Sequence, residues 1–164
     1  MPRCWPHAAL VVLLIFVRRP CFRKASYPGA SPHAVLRRRI GPYADKKQET
    51  FATWKAGIAG LAKCQNVVVK LGGLGMLFGM FDFHTRETPP SSEELARAYK
   101  PYIETCVASF GPDRGMFESN FPPDGVSSSY AVLWNAFKLL AAGYSADEKA
   151  KLFSGTAKRV YHIA

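Results

Sequence analysis

The chain has 164 residues, of which 48% are hydrophobic and 21% are charged. This composition is typical of one globular domain and excludes a chain that is disordered throughout. The net charge of +10 is concentrated in residues 1–40, which hold eight Lys and Arg and no Asp or Glu. Residues 41–164 hold fourteen Lys and Arg against twelve Asp and Glu, a net charge of +2, which argues against a basic nucleic-acid-binding face there.

The first forty residues differ in character from the rest. An apolar run over 8–17 follows Arg3, which is the order of a secretory signal, but the run is too short to span a bilayer. Two arginines and a proline then stand where a cleavage site needs small residues. Residues 20–39 show no helical or strand period, so we predict a disordered or short-helical segment. We therefore divide the chain into a head, 1–40, and a domain, 41–164.

The hydrophobic spacing after residue 40 predicts helices that alternate with strands. Apolar residues at helical spacing indicate helices, and unbroken apolar runs indicate buried strands. The predicted elements are a helix over 45–63, a strand over 66–71, a loop over 74–90, a helix over 91–110, a strand over 114–119, and helices over 130–142 and 145–161. Pro101 lies inside the second helix and is predicted to kink or split it. Two strands separated by a helix predict an α/β fold with a parallel sheet.

Several motifs in this domain have a family likeness. They are Gly41-Pro-Tyr-Ala44, Cys64 to Met76, Pro101 to Cys106, Phe110 to Pro122, and Phe153 to Tyr161. Together they resemble the amidohydrolase-related family of barrel hydrolases. The resemblance implies the C-terminal portion of a (β/α)8 TIM barrel, its last two strands and their helices. A complete barrel takes roughly 200–250 residues, so a partial barrel domain over 41–164 is expected.

The resemblance also implies a chemistry, in which activated water attacks the carbonyl of a lactone, amide or related carboxylate. A divalent metal, zinc or similar, is implied for intact relatives, whose ligands include a His-x-His pair and histidines on the middle strands. This sequence has no His-x-His, and its histidines are His7, His33, His84 and His162. We therefore assign no metal ligand in this chain and expect an incomplete, inactive fragment. The expected partner is a small-molecule substrate and not a nucleic acid, with self-association through exposed strand edges.

Three residues near the second strand are candidate catalytic groups. Many relatives have an aspartate where this chain has Asn120, and an amide is neither a good metal ligand nor a base. The resemblance therefore leaves two explanations, a weaker or absent metal, or replacement of the aspartate by Glu118 or Asp124. Asn120 also suits an Asx turn before Pro122, and Asp124 suits a turn.

Three further residues are candidate substrate-binding groups. Lys70 is next to last in an apolar strand, so its charge points either into the barrel mouth or outwards to solvent. His84 and Arg86 lie in the long loop after that strand, where such loops build binding sites, although a solvated loop histidine is equally consistent. Gly72, Gly73 and Gly75 match a phosphate-binding loop only weakly, and close backbone packing at the strand end is the better interpretation.

A non-catalytic function is the alternative. Residues 1–40 would then be an anchor or signal, and the rest a small membrane-surface or secreted α/β protein. The expected location is cytoplasmic, with secretion or membrane association through residues 8–17 as the alternative. The four cysteines have no zinc-ligand spacing and are expected to be free thiols. Binding of nucleic acid by the arginine-rich head alone would show a steep salt dependence.

Overall fold

The computed structural model describes residues 15–17, 47–76 and 81–163. Residues 1–14 and 18–46 lie outside these ranges, and they include most of the head and the segment predicted to be disordered. The elements in chain order are β1 (Ile15–Val17), α1 (Lys47–Ala62), β2 (Val67–Leu71), a 3-10 turn (Phe83–Thr85), α2 (Ser92–Phe110), β3 (Gly115–Phe117), a 3-10 turn (Pro123–Val126), α3 (Tyr130–Leu140), α4 (Ala146–Ala150), a π-helical turn (Lys151–Gly155) and α5 (Thr156–Tyr161).

The described strands form one sheet in the order β1-β2-β3. β2 and β3 are parallel, with Val69 opposite Gly115 and Leu71 opposite Phe117, and they are joined through α2 as predicted. β1 pairs with β2 in the antiparallel direction. The sequence analysis did not predict β1, which takes the last three residues of the apolar run in the head. The domain boundary near residue 40 stays a prediction.

The two faces of the sheet differ. Val69 and Leu71 are fully buried and belong to the main core, whereas Lys70 between them points to the opposite face because side chains alternate along a strand. Lys70 stands opposite Met116 in the register, and Met116 is buried outside the main core cluster. The core face is covered by α2, which also packs against α1 and α3.

Helix α2 begins where the sequence predicts. The Ser91 hydroxyl accepts a hydrogen bond from the Glu94 N–H, and the Glu94 side chain accepts one from the Ser91 N–H. The prediction that Pro101 splits the helix is wrong, because α2 runs without interruption to Phe110. Proline has no N–H, so the carbonyl four residues before Pro101 loses its helical hydrogen bond. Pro101 lies on the exposed face of α2, so this carbonyl can face water while the opposite face of the helix keeps its contacts with the core.

The C-terminal helices follow a second capping box, in which the Ser145 hydroxyl accepts from the Glu148 N–H. The predicted single helix is present as α4, the π-helical turn and α5 in succession. Leu152 of the π-helical turn is fully buried and lies near the Cα of Gly115, so this segment packs directly on β3. Phe153 packs with Phe117 at a ring-centroid distance of 4.9 Å.

Candidate functional site

The carboxyl ends of β2 and β3 bring together two candidate residues that are far apart in the sequence. Lys70 of β2 and Glu118, the first residue after β3, form an ion pair. Their side chains are 18% and 12% exposed, so the pair is largely shielded from water. Glu118 Oε2 takes part in the pair, while Oε1 is buried and has no hydrogen-bond partner among the described residues. A buried carboxylate oxygen with unused acceptor capacity is a feature of reactive sites as well as of strained ones.

Glycine at position 72 permits the approach of the two strand ends. A Cβ on Gly72 would collide with the backbone oxygen of Glu118 and would lie 2.7 Å from its Cγ. No side chain fits into this space, so the close backbone packing predicted for Gly72 is confirmed. Gly73, the next residue, has a φ of 75°, a conformation that glycine adopts without strain.

Asn120 and Asp124 form the second part of the site. Asn120 has a φ of 50°, in the left-handed region that asparagine tolerates better than most residues. Its Nδ2 donates a hydrogen bond of 2.7 Å to Oδ1 of Asp124. Asp124, in the 3-10 turn after β3, is only 1% exposed. The turn that the sequence suggests for Asp124 is present. The Asx turn suggested for Asn120 is not formed, because Pro122 has no N–H to donate and the Asn120 side chain bonds to Asp124 instead.

The Asp124 carboxylate also holds the loop that follows β2. The backbone N–H of Gly75 donates to Oδ2 of Asp124 at 3.1 Å. The Ser127 hydroxyl donates to the carbonyl of Gly75. The loops after the two parallel strands are thus fastened to each other by buried hydrogen bonds, which are worth more than exposed ones.

The electrostatic environment of Asp124 reflects its burial. Loss of hydration raises the pKa of this carboxyl above its ordinary value, although hydrogen bonds from Asn120, Gly75 and Gly73 act in the opposite direction. Tyr99 of α2 lies beside it, with its hydroxyl 3.1 Å from where a Cβ on Gly75 would be. Burial, and secondarily the charge of Asp124, raises the pKa of Tyr99. The Tyr99 hydroxyl is buried without a hydrogen-bond partner in the described part of the chain.

His84 and Arg86 lie in the 3-10 turn and its C-cap, and the structure gives them other contacts. Arg86 donates to Glu94 at 3.3 Å and lies 4.8 Å from the centroid of the Phe83 ring. His84 is half-buried, and its Nδ1 has no partner among the described residues. No described hydrogen bond or ion pair joins either residue to Glu118. The structure joins the other four sequence candidates in two pairs.

The donor atoms at the strand ends do not suit a divalent metal. Both oxygens of Asp124 accept N–H groups, Glu118 is paired with a lysine, and Asn120 turns its Nδ2 towards Asp124. Over residues 51–76 and 81–163, no three His, Cys, Asp and Glu side chains are grouped as metal ligands. The two described cysteines are Cys64, which is exposed, and Cys106, which is buried, and both are free.

The roles of Tyr99 and Ser127 in this arrangement are not predictable from the sequence. Tyr99 falls at a core position of α2 and carries no local signal of a polar neighbour. Gly75 belongs to the glycine-rich stretch for which the sequence predicts close packing, and its Cβ position lies 3.3 Å from Asp124. The partner residue, Asp124, is 49 positions away, so no short motif contains both.

Comparison with known proteins identifies the family. The sequence profile of the amidohydrolase family matches residues 41–163. The chain belongs to this family, as the motifs in Sequence analysis indicate. The protein y4mH of Sinorhizobium fredii is 39% identical over 113 residues, covering 69% of this chain and 34% of that protein. L-fucono-1,5-lactonase of Burkholderia multivorans is 30% identical over 120 residues, covering 73% of this chain and 38% of the lactonase.

Solved structures give the same result. Two crystal structures of an amidohydrolase from Burkholderia multivorans match with a TM-score of 0.63. The structure with bound zinc is 27% identical to this chain and is matched over 42% of its length, and the structure with bound HEPES is 28% identical and matched over 40%. The matches cover 76% and 74% of this chain. The chain therefore spans between a third and somewhat over two fifths of the length of the relatives it matches.

Membrane association is tested only in part. None of the helices in the described ranges is long and apolar enough to cross a bilayer. Residues 8–14 of the apolar run lie outside the described residues, so the predicted alternatives for the head stay predictions. The same is true of the cytoplasmic location.

Proposed function

We propose that the chain carries one edge of a hydrolase site, at which water attacks the carbonyl carbon of a lactone, amide or related carboxylate. The observation that carries the proposal is the shielded Lys70–Glu118 pair at the carboxyl ends of adjacent parallel strands. Membership of the amidohydrolase family supports hydrolysis as the reaction class. The similarity to L-fucono-1,5-lactonase favours a sugar lactone among the three substrate classes.

The proposal includes the position of the strands in a larger fold. β2 and β3 would be the seventh and eighth strands of a (β/α)8 barrel, which is consistent with their parallel pairing through α2 and with the matched solved structures. Enzymes with this barrel carry their chemistry at the carboxyl ends of the strands. Lys70, Glu118 and Asn120 all lie at that end of β2 and β3.

Each side chain has a proposed role. Glu118 is the group that accepts a proton from water, because its Oε1 is buried with no described partner. Lys70, held by Oε2 of Glu118, stabilises the negative charge that develops on the carbonyl oxygen. Asp124 is not available to take this proton, because both of its oxygens already accept N–H groups. Of the two replacements that the sequence left open, the proposal therefore takes Glu118.

We also propose that the 164-residue chain binds its ligand without turning it over. The relatives' metal is implied by the family and by the zinc in a matched structure, but the described donors here do not fit one. The sequence has no His-x-His pair to complete such a set. Purified chain should show no hydrolysis of L-fucono-1,5-lactone above the spontaneous rate, with or without added zinc. Chelator-sensitive hydrolysis would contradict this part of the proposal.

Binding tests the site itself. L-fuconate, the hydrolysis product of that lactone, is titrated into the chain and followed by NMR chemical shifts. The substitution Lys70→Met should weaken binding roughly tenfold, because it removes a charge-assisted contact in a shielded site. The matched control is Lys100→Met, since the Lys100 side chain is 61% exposed on α2. Absence of binding, or equal weakening by both substitutions, would overturn the proposal.

A further inference from the structure

The amide of Asn120 has a fixed orientation. A carboxylate can only accept hydrogen bonds, so the Asn120 atom 2.7 Å from Asp124 Oδ1 must be the donor Nδ2. Asp124 is in turn immobilised, because its Oδ2 accepts the backbone N–H of Gly75 and its residue is 1% exposed. A 180° flip of the Asn120 side-chain amide would take Nδ2 away from this acceptor and would place Oδ1 against the negative charge of Asp124. The orientation of the amide is therefore fixed.

The orientation determines which atoms of Asn120 remain available. One of the two Nδ2 protons is engaged by Asp124, and Oδ1 has no hydrogen-bond partner among the described residues. The side chain is half-buried, two residues after Glu118 at the end of β3. It can therefore offer a ligand one acceptor and one donor together. An aspartate at this position would offer only acceptors.

We propose that Asn120 is a substrate-binding residue that recognises a hydroxyl group, and that Asp124 is the positioning residue that orients its amide. A hydroxyl both donates and accepts, so it matches the acceptor and the donor that remain on Asn120. The inference rests on the proposed function, because the ligand must lie at the carboxyl ends of the strands. It deepens that function by specifying a hydroxylated substrate, such as a sugar lactone, over a plain carboxylate or amide.

The orientation is tested without any ligand. In an amide NMR spectrum, one Asn120 Nδ2 proton should be shifted downfield by the carboxylate, and Asp124→Asn should abolish the shift. The Asn120 signals are assigned by their absence in Asn120→Gly, where glycine tolerates the positive φ. An unchanged Asn120 signal in Asp124→Asn would overturn the positioning role of Asp124.

The recognition of hydroxyls is tested with two probes of equal carbon number, L-fuconate and hexanoate. The wild-type chain should prefer L-fuconate, and only L-fuconate should shift the Asn120 side-chain signals, a readout that needs no variant. Asn120→Gly should reduce the preference roughly three- to tenfold, the value of one or two hydrogen bonds. Lys70→Met should weaken both probes to the same extent.

The outcomes separate this inference from the proposed function. Two results together would overturn the recognition role: Asn120→Gly keeps the full preference for L-fuconate over hexanoate, and L-fuconate leaves the Asn120 signals of the wild-type chain unchanged. Asn120 would then serve only to pair with Asp124. Weaker binding in Lys70→Met would still support the site. If neither probe binds to the wild-type chain, the proposed function fails with it. A preference that depends on Asn120 and a uniform loss with Lys70→Met support both.

Discussion

Asn120 donates a 2.7 Å hydrogen bond to the carboxylate of Asp124, which is buried behind it. The pair places an amide where the family resemblance implies an acid, and the acid of the pair lies four residues later, in the interior. The carboxylate is thereby used to fasten the loops after β2 and β3, through the N–H of Gly75, and not to face a ligand. The chemistry of this strand end therefore depends on the two residues together.

The hydrogen bond between Asn120 and Asp124 predicts that the substitution Asn120→Asp destabilises the folded chain. Two carboxylates would then stand in contact in a shielded position, where repulsion and loss of the hydrogen bond should cost roughly 2 kcal/mol or more in the free energy of unfolding at pH 7. The exchange Asn120→Asp with Asp124→Asn restores one amide and one carboxylate and should recover most of that loss. Urea unfolding of the two single variants and the double variant measures the coupling. Additive effects in this cycle would argue against a direct interaction.

The pH dependence of stability should show a component from Asp124. Burial raises the pKa of this carboxyl in the folded chain above its ordinary value of 3.8. Between 3.8 and the folded pKa, the folded chain binds more protons than the unfolded chain, so the free energy of unfolding falls as pH rises through this window. Asp124→Asn should remove this slope. The difference between the two stability curves isolates it, because the other carboxyls are common to both.

Those other carboxyls act with the opposite sign. Hydrogen bonds at the helix starts lower the pKa of Glu94, chiefly from the Ser91 backbone, and that of Glu148, chiefly from the Ser145 backbone. Their contribution to stability is complete above the ordinary value of 4.5 and is lost as pH falls through the lowered pKa values. A difference curve with no slope just above pH 3.8 would contradict the assignment to Asp124.

A glycine pair tests the contact between the strand ends. Gly72→Ala would drive a Cβ into the Glu118 backbone and side chain, and we expect a loss of about 2 kcal/mol or more together with disruption of the Lys70 ion pair. Gly60→Ala is the matched control, because no atom lies within 4 Å of its Cβ position and the residue is inside α1. That substitution should raise stability by up to about 1 kcal/mol through helix propensity. Thermal unfolding of both variants provides the measurement, and equal effects would refute the steric argument.

The Lys70–Glu118 pair should show strong coupling. Lys70→Met leaves Glu118 as an unpaired, shielded charge, and we expect a loss of roughly 2–3 kcal/mol, somewhat below the cost for a fully buried pair. Combining it with Glu118→Gln removes the charge that was left behind, so the double variant should be more stable than Lys70→Met alone. Lys100→Met, in an exposed i, i+4 pair with Glu104, should change stability by less than about 0.5 kcal/mol. A double variant less stable than the single one would disprove this account.

Features that depend on neighbouring residues could be predicted from the amino-acid sequence. The parallel strands, the capping boxes at Ser91 and Ser145 and the helices after them were predictable, because hydrophobic period and capping act over a few residues. The family was predictable because its motifs keep their residue types and order along the chain. Pro101 is the instructive exception, since its effect depends on which side of α2 faces solvent.

The pairing of polar groups, by contrast, follows from the three-dimensional fold. The chain cannot show locally that Glu118 will face Lys70, that Asp124 will accept the N–H of Gly75, or that β1 will pair with β2. These contacts arise because parallel pairing brings the carboxyl ends of two strands side by side, and because burial makes each polar group there take a partner. The candidate residues could therefore be named from the sequence. The fold determines how they pair, and the pairing sets their chemistry.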